Sequence, residues 1–149
     1  MAALKEKYSI PYYLHSKELK TLKHANVYRT IFDGYGPITI PRVDYYLDQL
    51  ETTIHLPEFL IQVLFTPGHS QGGVCFLVED HLFTGDTLFK EKIGRTDLPG
   101  GDSSDLSSSL KNLSLLPPQM KIYPGHGETS TILEETQKNS ALLAAINEH

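Results

Sequence analysis

A single cysteine, no long apolar run and no excess of positive charge are the chain's most informative shortages. With Cys75 alone, no intrachain disulfide can form, and nothing points to an oxidising compartment. Cys75 lies in Val74-Cys75-Phe76-Leu77-Val78, where a thiol packs as a small inert hydrophobe; a nucleophile needs exposure and a nearby base. Crossing a bilayer takes roughly 20 apolar residues. No stretch approaches that and no secretory signal opens the chain, so the expectation is a cytoplasmic protein with no membrane partner. A net charge of -5 leaves no basic footprint for nucleic acid.

What is present is ordinary for a soluble globular protein. The chain has 149 residues, 40% of them hydrophobic and 21% charged, which is enough for one domain over residues 1–149 with a buried core. Ala2 to Lys7 reads as the end of a helix with no capping side chain before it. Ile10 to Leu14 reads as a short strand, and Ser16 as the N-cap of a helix through about Ala25 that exposes Lys17, Lys20 and Lys23. This α-β-α order suits a layered α/β architecture.

From Asn26 to Pro57, aromatic residues (Tyr28, Phe32, Tyr35, Tyr45, Tyr46) mix with the turn signals Asp33-Gly34, Gly36-Pro37 and Pro41, giving loops and short strands. The tyrosines are expected to pack partly into the core. Phe59–Phe65, Gly72–Val78 and His81–Thr84 are β-rich runs separated by turns. Ser103 or Ser104 is expected to cap a helix whose Leu106, Leu110 and Leu113 share a face, stopped by Pro117-Pro118. Lys121–Tyr123 reads as a strand. A last helix from about Thr131 is expected to bury Leu133, Leu142, Leu143 and Ile146.

Three segments carry the chemistry: Thr66-Pro67-Gly68-His69-Ser70, Gly85-Asp86-Thr87-Leu88-Phe89 and Tyr123-Pro124-Gly125-His126-Gly127. Each places one metal-capable side chain just beyond a strand-like run. Imidazole and carboxylate suit zinc and similar first-row metals, and a shared carboxylate can bridge two ions. Taken singly, His69 and His126 would read as surface histidines and Asp86 as a cap or turn residue. His15, His24, His55, His81 and His149 have no motif around them and are expected to be surface or hydrogen-bonded residues.

The combination resembles the metallo-β-lactamase superfamily, and within it the glyoxalase II-like hydrolases, from Leu60 to about Thr131 and more loosely back to Ala2. The resemblance implies a metallo-β-lactamase-like αββα sandwich. It makes His69 a ligand of the first metal, Asp86 a bridge and His126 a ligand of the second, with zinc as one or two ions and iron or manganese as alternatives. Arg95, in Gly94-Arg95-Thr96-Asp97, falls where those enzymes carry a basic residue contacting glutathione; pairing with Asp97 is the competing reading.

The family's His-x-His-x-Asp-His motif, source of four further ligands, belongs just before a helix like Ala2–Tyr8, and these residues do not contain it. The expectation is therefore an N-terminally incomplete sandwich, impaired or inactive as this chain, related to hydrolases of hydroxyacyl thioesters. Two alternatives are a persulfide dioxygenase-like enzyme with one iron, suggested by Gly94–Asp97 and opposed by Pro124–Gly127, and a non-catalytic fragment. Exposed sheet surface would make such a chain a homo-oligomer.

Overall fold

A computed structural model describes residues 1–33 and 36–147. The Asp33-Gly34 turn signal, the rings of Phe32 and Tyr35, and His149 lie outside what is described. The chain divides into two compact units, Met1–Glu51 and Thr52–His149.

The first unit is built from short elements: α1 (Ala2–Tyr8), β1 (Tyr13–Leu14), α2 (Leu19–Lys23), α3 (Ala25–Tyr28) and β2 (Tyr45–Tyr46). β1 and β2 pair in parallel, with the Tyr13 and Tyr45 rings stacked at 5.1 Å. Asp44 holds the region together by accepting from the Lys5 ammonium and, at 2.7 Å, from the Tyr12 amide. Ser16 does not cap the following helix as expected, because Asp48 takes both its amide (2.7 Å) and its hydroxyl (2.6 Å). His15 caps a 3-10 turn over Ser16–Glu18 instead, and the helix itself breaks at His24. Lys17, Lys20 and Lys23 are exposed, as the sequence predicts.

The second unit is a six-stranded mixed sheet packed on helices. Its strands are β3 (Thr53–His55), β4 (Leu60–Phe65), β5 (Val74–Val78), β6 (His81–Gly85), β9 (Lys121–Pro124) and β10 (Ser130–Thr131), ordered β10-β9-β6-β5-β4-β3. A separate two-residue-strand hairpin, β7 (Leu88–Phe89) with β8 (Lys92–Ile93), follows β6. The helices are α4 (Ser103–Ser114), α5 (Ile132–Lys138) and α6 (Ser140–Asn147). Alternation along the strands puts Cys75, Leu82 and Ile122 on the helix side, where they join Leu106, Leu110, Leu113, Ile132 and Leu142 in one core.

Strand direction is what positions the site. β4 and β6 are each antiparallel to β5, and β9 runs parallel to β6, so β4, β6 and β9 all point the same way. Their C-terminal ends share one edge of the sheet. Each of these three ends leads into one of the three motif loops.

Two helix details differ from the periodicity. Asp102, not a serine, caps α4, its carboxylate accepting from the Ser104 and Asp105 amides at 2.9 and 3.0 Å. The last helix is two helices broken at Asn139; Leu142 is buried as expected, whereas Leu133 is 46% exposed and Leu143 and Ile146 are only partly buried. Among the described residues no helix is long and apolar enough to cross a membrane.

Candidate metal centre

The His69 loop is fastened before the histidine is reached. Thr66 donates its amide to the Gly73 carbonyl (2.8 Å), Ser109 of α4 donates its hydroxyl to the Pro67 carbonyl (2.7 Å), and the Asp102 amide donates to the Gly68 carbonyl (2.8 Å). Gly68 sits at φ 138°, and a Cβ there would come within 2.3 Å of the Leu106 backbone, so this turn onto α4 requires glycine. The buried hydroxyls of Thr66 and Thr87 approach to 3.4 Å, tying the His69 loop to the segment just after Asp86.

The Asp86 and His126 loops are tied to one another by the Gly125 amide, which donates to the Gly85 carbonyl at 2.7 Å. A Cβ on Gly125 would lie 2.6 Å from Asp86 Oδ1, so the absence of a side chain lets the carboxylate stand against the chain leading to His126.

These constraints bring the three side chains together. His69 Nε2 lies 3.8 Å from Asp86 Oδ2, and His126 Nε2 lies 3.8 Å from Asp86 Oδ1. Each carboxylate oxygen faces a different imidazole. The separations are too long for hydrogen bonds. They approach the spacing of two ligands on a shared ion, about 3.4 Å for a tetrahedral metal with bonds of about 2.1 Å.

The protonation pattern of His69 suits a ligand. Its Nδ1 is 2.8 Å from the Arg95 carbonyl, which can only accept, so Nδ1 carries the hydrogen and a neutral ring leaves the Nε2 lone pair facing Asp86. His126 is 76% exposed on its side chain and stacks on Phe89 with centroids 4.5 Å apart. Two imidazoles and a carboxylate form a donor set that would suit zinc or a similar first-row metal.

An open cavity of about 500 Å³ adjoins the cluster, with Phe89, Ile93 and Leu98 as apolar wall and Lys90, Lys92 and Arg95 as cations. Arg95 lines it but donates through Nε and a terminal nitrogen to both oxygens of Asp97, each at 2.7 Å. That fork holds the Asp97 carboxyl down at about 2. Lys90 pairs with Glu128 at 2.5 Å, an interaction that raises the lysine and lowers the glutamate from their ordinary values. Phe89 and Lys92 were not singled out from sequence as site residues; the signal available for Phe89 was its place inside the Gly85–Phe89 motif.

The remaining polar features have local explanations. Cys75 is fully buried, and burial pushes its thiol up to about 11. Among the described residues the one group of three whose donor atoms, one per residue, all lie within 4.8 Å of one another is Glu79, Asp80 and His81. His69, Asp86 and His126 do not meet that spacing, because each imidazole faces a different Asp86 oxygen. The Glu79–His81 group occupies the β5–β6 turn at the opposite end of β6 from Asp86, and a 2.7 Å Asp80–His81 pairing accounts for the contact. His24 bonds the Lys20 carbonyl, and His15 serves as a cap.

Comparison with known proteins agrees with this geometry. The profile of the metallo-beta-lactamase superfamily matches residues 1–126. The chain is 34% identical over 147 residues to a Bacillus subtilis (strain 168) protein named "Probable metallo-hydrolase YqgX", covering 93% of this chain and 67% of that protein. Among solved structures, BLEG-1 B3 metallo-beta-lactamase superposes with a TM-score of 0.85 at 37% identity, over 93% of this chain and 68% of the other. TTHA1623, solved in a di-iron-bound form, gives 0.80 at 37% identity with the same coverage. The chain spans from 40% to 67% of the length of the curated relatives it matches. With its ligand-capable loops gathered at one sheet edge and its match running from residue 1 to 126, the chain belongs to the metallo-beta-lactamase superfamily.

Proposed function

We propose that this chain is part of a metal-dependent hydrolase acting on thioesters, of the hydroxyacylglutathione hydrolase type, with His69, Asp86 and His126 as metal ligands. The observation that carries the reading is the placement of the Asp86 carboxylate, one oxygen 3.8 Å from each imidazole. A carboxylate shared in this way favours two ions over the single iron of a dioxygenase. Zinc suits the donor set, and the di-iron form of TTHA1623 supports iron as an alternative.

When bound, the metal supplies Lewis acidity and a water whose pKa is lowered toward neutrality. The protein's own groups do the positioning. The Arg95 carbonyl fixes the His69 tautomer, Phe89 braces His126, and Gly125 leaves room for the Asp86 carboxylate. Phe89, Ile93 and Leu98 offer an apolar wall to an acyl group, while Lys90 and Arg95 already have carboxylate partners. A thioester fits such a site chemically because a thiolate leaves readily and positive charge offsets the oxyanion formed on attack.

The test is release of free thiol from S-lactoylglutathione by a zinc-loaded longer form of the chain that carries a His-x-His-x-Asp-His segment, with Asp86→Asn beside it. Thiol release that chelator abolishes and Asp86→Asn reduces is expected. No thiol from any acylglutathione at full zinc occupancy would contradict the thioester assignment while leaving metal binding standing.

A further inference from the structure

The largest polar investment in the second unit lies away from the ligands. Glu135 and Asn139 of α5 and its C-terminus are 1% and 0% exposed. A buried carboxylate is costly unless each oxygen is satisfied, and replacing such a group by an apolar one is often neutral or favourable. Its presence calls for a reason beyond joining two helices.

Every bond it makes is accounted for. Glu135 Oε1 accepts from the Ser130 hydroxyl at 2.5 Å. Glu135 Oε2 accepts from the Asn139 side-chain amide at 2.7 Å and from the backbone amide of Glu91 at 2.8 Å. The Asn139 amide also donates to the Lys92 carbonyl at 3.1 Å, while its oxygen caps α6 by accepting from the Leu142 amide at 3.0 Å. The pair thus grips adjacent backbone groups in one place, the tip of the β7–β8 hairpin.

That hairpin needs holding. It has two residues per strand, too few to be stable alone in water. Its turn puts Glu91 at φ 57°, an uncommon conformation for a residue with a Cβ. It also carries Phe89, whose ring lies against the exposed imidazole of His126, and leads into Ile93 and Gly94 of the cavity wall.

We propose that Glu135 and Asn139 are positioning residues for the metal centre: by clamping the Glu91–Lys92 tip from the helix side they hold Phe89 against His126 and so aim that imidazole at Asp86. The assignment of a metal ligand to this clamp rests on the metallo-hydrolase reading above; the mechanical link does not.

The test reads the His126 ring protons by NMR in metal-free protein, where Phe89 at 4.5 Å imposes a ring-current shift that Phe89→Leu removes. Asn139→Ser keeps a hydroxyl able to cap α6 but takes away the amide donor to the hairpin. Glu135→Met removes the grip on Glu91, and Glu135→Gln retains acceptor capacity for it. In Asn139→Ser and Glu135→Met the His126 signals are expected to move most of the way to their Phe89→Leu positions while core amides such as Leu82 and Ile122 stay put, with Glu135→Gln restoring the native shift. Zinc affinity should fall by roughly 10- to 100-fold in the first two.

Native His126 shifts in folded Asn139→Ser and Glu135→Met would overturn the clamp. Should both variants fail to fold, the wild-type Glu91 amide decides, since the clamp requires slow hydrogen exchange there and rapid exchange overturns it. Failure of the wild type to bind zinc would strike the metallo-hydrolase reading instead, and the shifts would still judge the clamp.

Discussion

At the scale of single residues, what distinguishes the site is how closely backbone approaches the Asp86 carboxylate. Adding a methyl group at Gly125 would put carbon 2.6 Å from Asp86 Oδ1 and 3.2 Å from the Gly85 backbone, so the carboxylate must move and the backbone must yield by a few tenths of an ångström. Gly125→Ala is therefore expected to cost about 1–2 kcal/mol of stability and to weaken zinc binding tenfold or more, or about 1.4 kcal/mol. Calorimetric unfolding and zinc titration of one preparation measure both; native affinity would show the carboxylate is not needed where it stands. Cys75 gives the opposite case, a reactive group made inert by position. Its thiol sits well above the ordinary value, at about 11, because burial disfavours the thiolate. A group raised in this way favours the folded state below its unfolded pKa, and that contribution disappears as pH rises through the folded value. Stability should thus decline from about pH 9 toward pH 11, a decline absent from Cys75→Ala. A thiol reagent should label Cys75 only as fast as the protein unfolds.

At the scale of elements, loops depend on the helices they abut. Asp102 caps α4 while its own amide holds the Gly68 carbonyl, so helix start and His69 loop share one residue. Asp102→Ala should lower stability by about 1 kcal/mol through the lost cap. Gly68→Ala, forcing a Cβ to 2.3 Å from the Leu106 backbone at a positive φ, should cost more than about 2 kcal/mol. Thermal melts of the two variants rank these effects; equal losses would contradict the packing described. The strands β4, β5, β6 and β9 were legible because runs such as Val74–Val78 are rich in β-formers and bounded by turns. The β7–β8 hairpin was not, since two residues per strand around Lys90 and Glu91 give no periodic signal. The break at Asn139 was equally hidden. The stretch from Glu134 to Lys138 continues a helical pattern, and only the burial of Asn139 against the hairpin shows why the chain stops and restarts there.

At the scale of the whole molecule, the three ligand-capable residues were readable from glycine-flanked loops, whereas their convergence follows from strand direction, which short motifs do not encode. His69, Asp86 and His126 meet because β4, β6 and β9 are co-directional in one sheet. Arg95 had two readings in the sequence, a glutathione contact and a pairing with Asp97; the geometry shows the pairing, with both carboxylate oxygens engaged. Because the chain spans 40% to 67% of its curated relatives, metal binding by these residues is the property most directly open to test. The decisive measurement is zinc-edge anomalous scattering from crystals grown with zinc. Density within about 2.0–2.2 Å of Asp86 and of His69 or His126 is the expected result; zinc bound elsewhere, with none at Asp86, would contradict the account.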